Sequence, residues 1–162
     1  PLDCRSMDEK LILDATAERQ LARLRRPMVF TNGVFDVLHR GHVAYLTAAR
    51  ALGQSLLVAL NTDASARRLG KGPERPLNNQ VDRAYVLAAL QCVDAVMFFD
   101  EDTPCDILRR VHPDIYVKGG DYDMDSLEEA AIVRSWGGRA ESLSFVDGYS
   151  TTSLVRRIRE VP

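Results

Sequence analysis

Short apolar segments alternate along the chain with longer segments of helical periodicity, and this alternation limits the fold more than any other feature of the sequence. Strands that are apolar on both faces belong to parallel sheets covered by helices on both sides. The sequence therefore predicts an α/β fold with a Rossmann-like, doubly wound, five-stranded parallel sheet. The five predicted strands are MVFTN at 28–32, SLLVALN at 55–61, DAVMFF at 94–99, IYVKG at 115–119 and RAESLSF at 139–145.

The segments between the strands predict helices. Apolar spacing indicates a helix over 8–26, ended by Pro27, and others over about 38–52 and 79–93. A proline and an acid after Thr103 open a helix through Val111, and the last helix covers 151–160. A capping box at 125–128 opens a further helix that ends at Gly137. We expect one compact domain, in which 1–27 form an N-terminal helix and lead-in and 28–162 form the main body.

Composition narrows the class of protein. The formal net charge of −2 on 162 residues argues against a general nucleic-acid binder, which normally carries a basic face. No apolar run approaches the roughly 18 residues that cross a bilayer, and the first ten residues lack the apolar stretch of a signal peptide. The three cysteines are far apart, which favours idle thiols over a zinc site. We therefore expect a soluble, cytoplasmic protein with no nucleic-acid or membrane partner.

The segment TNGVFDVLHRGH at 31–42 lies where the first strand gives way to its helix, at the carboxyl edge of the predicted sheet. Residues three apart on a helix share a face, so His39 and His42 can point to one spot. Gly41 lets a ligand approach the backbone, and the helix N-terminus adds unpaired N–H groups and a positive dipole end. The pattern predicts a donor cluster for a phosphate. The competing interpretation is one capping and one core histidine.

A second candidate anion site is the hydroxyl-rich segment GYSTTS at 148–153, directly before the last helix. Four consecutive hydroxyl residues exceed what one N-cap needs, and no acid stands at the third helical position to repel an anion. Redundant capping is the alternative interpretation. The chain has neither a P-loop nor the G-x-G-x-x-G fingerprint, so these two segments are its phosphate-site candidates.

Other polar residues near the strand ends keep two or more interpretations. Lys71, in the irregular segment LGKGPERPLN at 69–78, and Arg83, in the next helix, would reach bound phosphates or remain solvated charges. The segment KGGD at 118–121 is either a turn or a backbone contact to a ligand. Asp36 would orient an imidazole, bind a cation or contact a substrate.

These motifs resemble those of a known family. GVFDVLHRGH is similar to the nucleotidyltransferase superfamily signature G-x-F-D-x-x-H-x-G-H, and GYSTT is similar to the matching C-terminal phosphate motif. The strongest resemblance is to the D-glycero-β-D-manno-heptose 1-phosphate adenylyltransferases. It runs from residue 29 to residue 158 through FTNGVFDVLHRGHVAYL, LVALNTDASARRL, RPLNNQVDRAYVLAAL, VDAVMFFDEDTP, PDIYVKGGDY and DGYSTTSLVRRI.

The resemblance implies adenylyl transfer. Heptose 1-phosphate would attack the α-phosphorus of ATP without a covalent intermediate and with Mg²⁺ as cofactor, releasing pyrophosphate and forming ADP-heptose for lipopolysaccharide cores. By this likeness His39, His42 and Lys71 are catalytic, and Asp36 and Lys71 lie on the sugar-phosphate side. The implied nucleotide-binding residues are Thr31, Asn32, Gly33, Val34, Phe35, His39, Gly41, His42, Arg83, Lys118, Gly119, Asp121, Ser150, Thr151 and Thr152.

The chain departs from related enzymes at two positions, and three rival functions are also considered. Phe145 stands where related cytidylyltransferases carry an arginine, and Val155 stands where other members carry a basic residue, which leaves the phosphate role of Arg156 open. The rivals are a cytidylyltransferase acting on glycerol 3-phosphate or another small phosphate, a non-catalytic nucleotide sensor, and an aminoacyl-tRNA synthetase fragment. The last is disfavoured because the chain is short and lacks the second, lysine-rich signature.

The apolar stripe of the N-terminal segment leaves the oligomeric state open. Leu11, Leu13, Ala17, Leu21 and Leu24 recur at near-helical spacing. This stripe would cover either the sheet's own core or a partner subunit, so a homo-oligomer is one expectation.

Overall fold

The computed structural model describes residues 6–70 and 72–161 and has one parallel sheet at its centre. The strands lie in the order β3-β2-β1-β4-β5, and every neighbouring pair is parallel. The predicted doubly wound, five-stranded sheet is confirmed. The strands are β1 (Met28–Gly33), β2 (Ser55–Asn61), β3 (Ala95–Phe99), β4 (Ile115–Gly119) and β5 (Arg139–Leu143).

Helices cover both faces of the sheet. Leu46 and Leu87, from the helices that follow β1 and precede β3, pack on one face, and Leu108 and Val133 pack on the other. All seven residues of β2 are buried, as continuous apolar strands of a parallel sheet must be. The helices are α1 (Met7–Lys10), α2 (Ala17–Leu21), α3 (Arg40–Ala51), α4 (Asp63–Arg68), α5 (Gln80–Ala88), α6 (Cys105–Val111), α7 (Glu128–Ser135) and α8 (Thr151–Arg159).

The predicted helix over 8–26 is wrong. Helix α1 ends at Lys10, and the next residues extend along the sheet edge, where the Ile12 N–H donates to the Val96 carbonyl at 2.9 Å. This pairing gives edge strand β3 a partner, which a continuous helix would leave exposed. Ile12, Ala17 and Leu24 are buried in the core of the same chain. Ala17 and Leu24, two residues of the predicted apolar stripe, therefore cover the chain's own sheet.

The helices differ from the predictions at three further places. Helix α4 was not predicted; it begins after Thr62, whose side chain accepts from the Ser65 N–H. The capping box at 125–128 is wrong, because Met124–Ser126 forms a 3-10 turn and α7 begins after Leu127 without a side-chain cap. Helix α5 also ends at Ala88, short of the predicted residue 93. At Thr62 and at Asp123, short polar side chains accept from nearby backbone N–H groups. The spacing of apolar residues does not reveal such bonds.

The sheet topology places a crevice at its centre. The chain moves outward from β1 to β2 and β3, then returns to β4 on the other side of β1. Ligands of doubly wound folds bind outside the carboxyl ends of the strands at this reversal. Gly33 at the end of β1 and Gly119 at the end of β4 therefore mark the expected site. Among the described residues, no helix is both long and apolar enough to span a bilayer.

Candidate active site

The two histidines meet at the start of α3. His39 is the N-cap residue, with extended backbone angles, and its imidazole stacks on that of His42 with ring centroids 3.8 Å apart. The rings are brought together as their spacing predicts. The Phe35 ring meets His42 edge-on at 5.3 Å, and Tyr149 lies parallel to His39 at 6.4 Å. The pair is thus held between aromatic side chains from two loops.

Burial controls the charge of His39. Desolvation lowers the pKa of its imidazole below the ordinary value of 6.5, so the ring is neutral at pH 7 without a ligand. Its Nδ1 atom is buried and has no hydrogen-bond partner among the described residues. Phe35 lies nearby in the left-handed region, with φ of 47°, which a bulky residue rarely adopts. Orphaned polar atoms and unusual backbone angles of this kind concentrate at functional sites.

Gly41 allows Tyr149 and His39 to pack closely against the start of α3. A Cβ atom there would lie 2.9 Å from Tyr149 Cβ and 3.0 Å from His39 Cε1, closer than real side chains approach. The sequence suggested that this glycine opens the backbone to a ligand. Its Cβ direction is instead filled by the hydroxyl-rich segment, so the two predicted anion motifs pack directly against each other.

The hydroxyl-rich segment is tied to the histidine turn. The Thr151 hydroxyl donates to the Val37 carbonyl at 3.0 Å, and the Arg40 guanidinium donates to the Tyr149 hydroxyl at 3.3 Å. Ser150 caps α8 by accepting from the Ser153 N–H at 3.0 Å. Thr152 lies in the first turn of the same helix. The N-termini of α3 and α8 therefore lie side by side.

These two helix N-termini share a property that the other described α-helices lack. Neither α3 nor α8 carries an acid in its first turn. Acids neutralise the first turns of the other six, at Asp8, Glu9, Glu18, Asp63, Asp82, Asp106, Glu128 and Glu129. Two uncompensated positive dipole ends side by side make a site for a multiply charged anion.

Asp36 holds the irregular loop. Its carboxylate accepts from the Leu77 N–H at 2.8 Å, from the Asn78 N–H at 2.9 Å and from Arg75 at 3.0 Å. Burial raises the pKa of Asp36, but these bonds outweigh it and hold the pKa below the ordinary 3.8. The sequence left three roles open for Asp36, and the structure adds loop anchoring as a fourth. Its predicted contact with substrate stays a prediction.

Arg83 is buried beneath the turn that follows β1. Its side chain has no exposed surface and donates to the Val34 carbonyl at 2.7 Å, the Asn78 carbonyl at 3.0 Å and Asp63 at 2.6 Å. The guanidinium braces the turn after β1, the loop and the start of α4. All three of these hydrogen bonds go to protein groups, and the predicted contact of Arg83 with phosphates stays a prediction. The predicted Lys71 lies outside the described residues.

The end of β4 carries the remaining predicted residues. Lys118 lies 3.5 Å from the buried Glu129 and over the Tyr122 ring at 4.6 Å, while Asp121 is exposed. Across the crevice, Asn32 accepts from the Tyr116 hydroxyl at 3.3 Å. The Lys118 side chain remains a quarter exposed although it pairs with Glu129. Its predicted contact with a nucleotide stays a prediction.

Thr31 is a core residue. It is completely buried, and its hydroxyl lies 2.6 Å from the Tyr45 hydroxyl, which donates to the Val117 carbonyl. Since the single Tyr45 proton goes to Val117, Thr31 is the donor. Burial raises the pKa of Tyr45 to about 12, which keeps this proton in place. The Thr31 side chain is thus used within the core, and its predicted contact with a nucleotide stays a prediction.

Some residues of the site were missed by the sequence interpretation. Arg75 and Asn78 bond to Asp36 from the irregular loop. No sequence pattern indicated these contacts, because loop contacts have no periodicity. Tyr149 was not missed, because it lies within the predicted motif GYSTTS at 148–153.

The comparisons with known proteins agree with this geometry. The family model described as cytidylyltransferase-like matches residues 30–157. D-beta-D-heptose 1-phosphate adenylyltransferase of Bordetella bronchiseptica is 62% identical over 85% of each chain. Bifunctional protein HldE of Geotalea uraniireducens is 51% identical over 91% of this chain, which spans only 30% of that relative.

A solved structure supports the same assignment. The crystal structure of the lipopolysaccharide core biosynthesis protein from Thermoplasma volcanium matches with a TM-score of 0.62 and 29% identity. The match covers 76% of this chain and 98% of that one. The family match spans most of the chain and includes both anion motifs, so the chain belongs to the cytidylyltransferase-like family of nucleotidyltransferases.

Proposed function

We propose that the protein transfers the adenylyl group of ATP to D-glycero-β-D-manno-heptose 1-phosphate, giving ADP-heptose and pyrophosphate for lipopolysaccharide core synthesis. One observation carries the proposal: two helix N-termini without acids meet beside a stacked histidine pair at the carboxyl edge of the sheet. The name of the 62% identical relative supports this choice of nucleotide and acceptor.

The chemistry of the substrates supports direct transfer of the adenylyl group, without a covalent intermediate. A sugar phosphate is already anionic at neutral pH, so its oxygen can attack the α-phosphorus of ATP without a strong general base. Phosphoryl-type transfers need chiefly positioning and stabilisation of charge on the phosphate oxygens. We assign positioning of the triphosphate to the N-termini of α3 and α8, and assign stabilisation of developing charge to His39 and His42. Lys71 would add a further cation.

We propose Mg²⁺ as the cofactor, entering with the ATP phosphates. Among the described residues no group of three His, Cys, Asp or Glu side chains is arranged to hold a metal ion. The Asp36 carboxylate already accepts three hydrogen bonds, so it does not offer a ready ligand. Magnesium commonly binds through substrate phosphates, with few protein carboxylates, so a dedicated cage is not required.

The remaining assignments complete the proposal. Residues 28–162 form the nucleotidyltransferase domain, with 1–27 as lead-in, and the partners are ATP and a sugar phosphate. We place the protein in the cytoplasm, without nucleic-acid or membrane partners. A homo-oligomer stays a prediction, and size-exclusion chromatography with light scattering tests it.

Pyrophosphate release tests the function directly. Purified protein with Mg²⁺ is given each pairing of ATP or CTP with heptose 1-phosphate or glycerol 3-phosphate. We expect turnover with ATP and heptose 1-phosphate only. Equal or faster turnover with CTP would establish the cytidylyltransferase alternative, and ATP binding without any turnover would establish the sensor. His42→Ala, run in parallel, shows that release depends on this site.

A further inference from the structure

The Phe145 ring stands half exposed at the same edge of the sheet, in the loop that links β5 to α8. Its exposed fraction is 53%, and its other side is in close contact with protein. We propose that Phe145 is the platform on which the nucleobase of the bound nucleotide stacks. This inference rests on the proposed function and adds a residue that determines how the nucleotide is held.

A glycine makes room for the ring. A Cβ atom at Gly119 would lie 2.6 Å from both Cε1 and Cζ of Phe145, so any larger residue would displace the ring. Gly119 does not adopt left-handed backbone angles, so a turn does not explain the glycine. It is the last residue of β4, paired with Leu143 of β5. The ring thus rests directly on backbone at the carboxyl end of a central strand.

Tyr45 supports the ring from α3. The two ring centroids lie 5.8 Å apart and are tilted by 50°. Tyr45 is itself buried and immobilised by its bonds to Thr31 and Val117. Phe145 packs on this fixed ring. An aromatic side chain that is already held in place loses little entropy when a ligand binds, which favours a preformed contact surface.

The position of the platform fits a nucleotide whose phosphates lie at the histidine pair. Phe145 packs on the same face of the sheet as α3, and its loop continues to Tyr149 and to Ser150, the cap of α8. A base on Phe145 would therefore share one loop with the residues at the anion site. Aromatic side chains hold bases in this way with little dependence on base identity.

Tyr122 provides a matched control. It is also half exposed, and its ring lies beside Gly120 at the same edge. However, Lys118 lies over this ring, so one of its faces is already occupied. Removing the Tyr122 ring removes an aromatic group from the same neighbourhood without removing the platform.

Calorimetric titration with ATP and with inorganic tripolyphosphate, both as magnesium complexes, tests the inference. Tripolyphosphate has no base. In Phe145→Leu we expect ATP affinity to fall about tenfold and tripolyphosphate affinity to stay within about twofold. Phe145→Tyr should retain ATP affinity, and Tyr122→Leu should leave it unchanged. In the steady state, Phe145→Leu should raise KM for ATP and not KM for the sugar phosphate.

Three outcomes would overturn the inference. They are unchanged ATP affinity in Phe145→Leu, a parallel loss of tripolyphosphate affinity, and an equal loss of ATP affinity in Phe145→Tyr. Thermal unfolding of each variant establishes that it is folded, and the tyrosine variant provides the comparison if the leucine variant is not. Wild-type protein that binds tripolyphosphate but not ATP would refute the proposed function, and the stacking role with it.

Discussion

At the scale of single residues, the site depends on two kinds of side chain. His39 and His42 are stacked on each other and face the helix N-termini, where an anion is favoured. Asp36 acts on the protein itself, since its carboxylate binds the backbone and Arg75 of the irregular loop. Substitutions of these residues should therefore affect different quantities, kcat for the first group and stability for the second.

Replacing His42 by alanine should lower kcat for pyrophosphate release by about 10²–10³, the loss of roughly 2.7–4 kcal/mol seen when one preorganised donor to a developing charge is removed. The free energy of unfolding should change much less than the activation free energy does. His112→Asn is the control, because His112 is the remaining histidine and stacks on Trp136 away from the site. Near-wild-type turnover in His42→Ala would contradict the catalytic assignment.

Replacing Asp36 by asparagine should lower the free energy of unfolding by about 1–3 kcal/mol at pH 7, because an NH₂ group replaces one of the two accepting oxygens and the charge that Arg75 faces is lost. The pKa of Asp36 in the folded protein lies below 3.8, so on acidification the unfolded state takes up its proton first. The stabilisation is complete above the unfolded pKa and is lost as pH falls through the folded pKa.

Urea denaturation between pH 7 and pH 3 measures this difference. The gap in unfolding free energy between wild type and Asp36→Asn should narrow below about pH 4. Asp82→Asn, at an exposed carboxylate on α5, serves as control. A gap that is constant over the whole range would show that the carboxylate charge of Asp36 does not stabilise the fold.

At the scale of secondary-structure elements, α3 and α8 function as a pair. Each presents an N-terminus without acids, and the Thr151–Val37 hydrogen bond together with the close packing of Gly41 against Tyr149 fixes their separation. Neither helix alone would surround a triphosphate. Their spacing should therefore determine nucleotide affinity.

Replacing Thr151 by valine should separate the two N-termini. The variant keeps the shape of the side chain but loses the donor to the Val37 carbonyl, a bond worth about 1 kcal/mol. We expect a fall of about fivefold to tenfold in kcat/KM for ATP, measured by pyrophosphate release. Thr151→Ser keeps the hydroxyl and should remain near wild type. If serine is as damaging as valine, the hydrogen bond does not set the spacing.

At the scale of the whole molecule, one buried arginine links the segments around the crevice. Arg83 joins α5 to the turn after β1, to the irregular loop and to Asp63 at the start of α4. The turn after β1 and the start of α4 are distant from Arg83 in sequence and meet it because the sheet brings its carboxyl edge together. Arg83 therefore stabilises the scaffold of the site.

Replacing Arg83 by methionine should lower the free energy of unfolding by about 3–5 kcal/mol, because it leaves two backbone carbonyls and the partly buried Asp63 without this donor. Urea denaturation monitored by circular dichroism measures the change. Arg134→Met removes an exposed ion pair with Asp125 and should cost less than about 1 kcal/mol. Similar small losses in both variants would show that the Arg83 network contributes little to stability.

The sequence by itself determined the sheet, its parallel direction and the location of the two anion motifs. Continuous apolar strands such as β2 can be satisfied only by burial on both faces. The three-residue spacing of His39 and His42 and the missing acid in α8 are local properties, so they could be read without coordinates. The resemblance of these motifs to nucleotidyltransferases gave the family.

Only the tertiary structure decided how the remaining polar residues are used. Arg83 is buried in a hydrogen-bond network, and the Thr31 hydroxyl bonds to Tyr45 in the core, while the predicted ligand contacts of both stay predictions. The N-terminal segment left its helical pattern to pair with β3. Burial and long-range hydrogen bonds depend on which distant segments meet in the fold. The periodicity of residues along the chain does not contain this information.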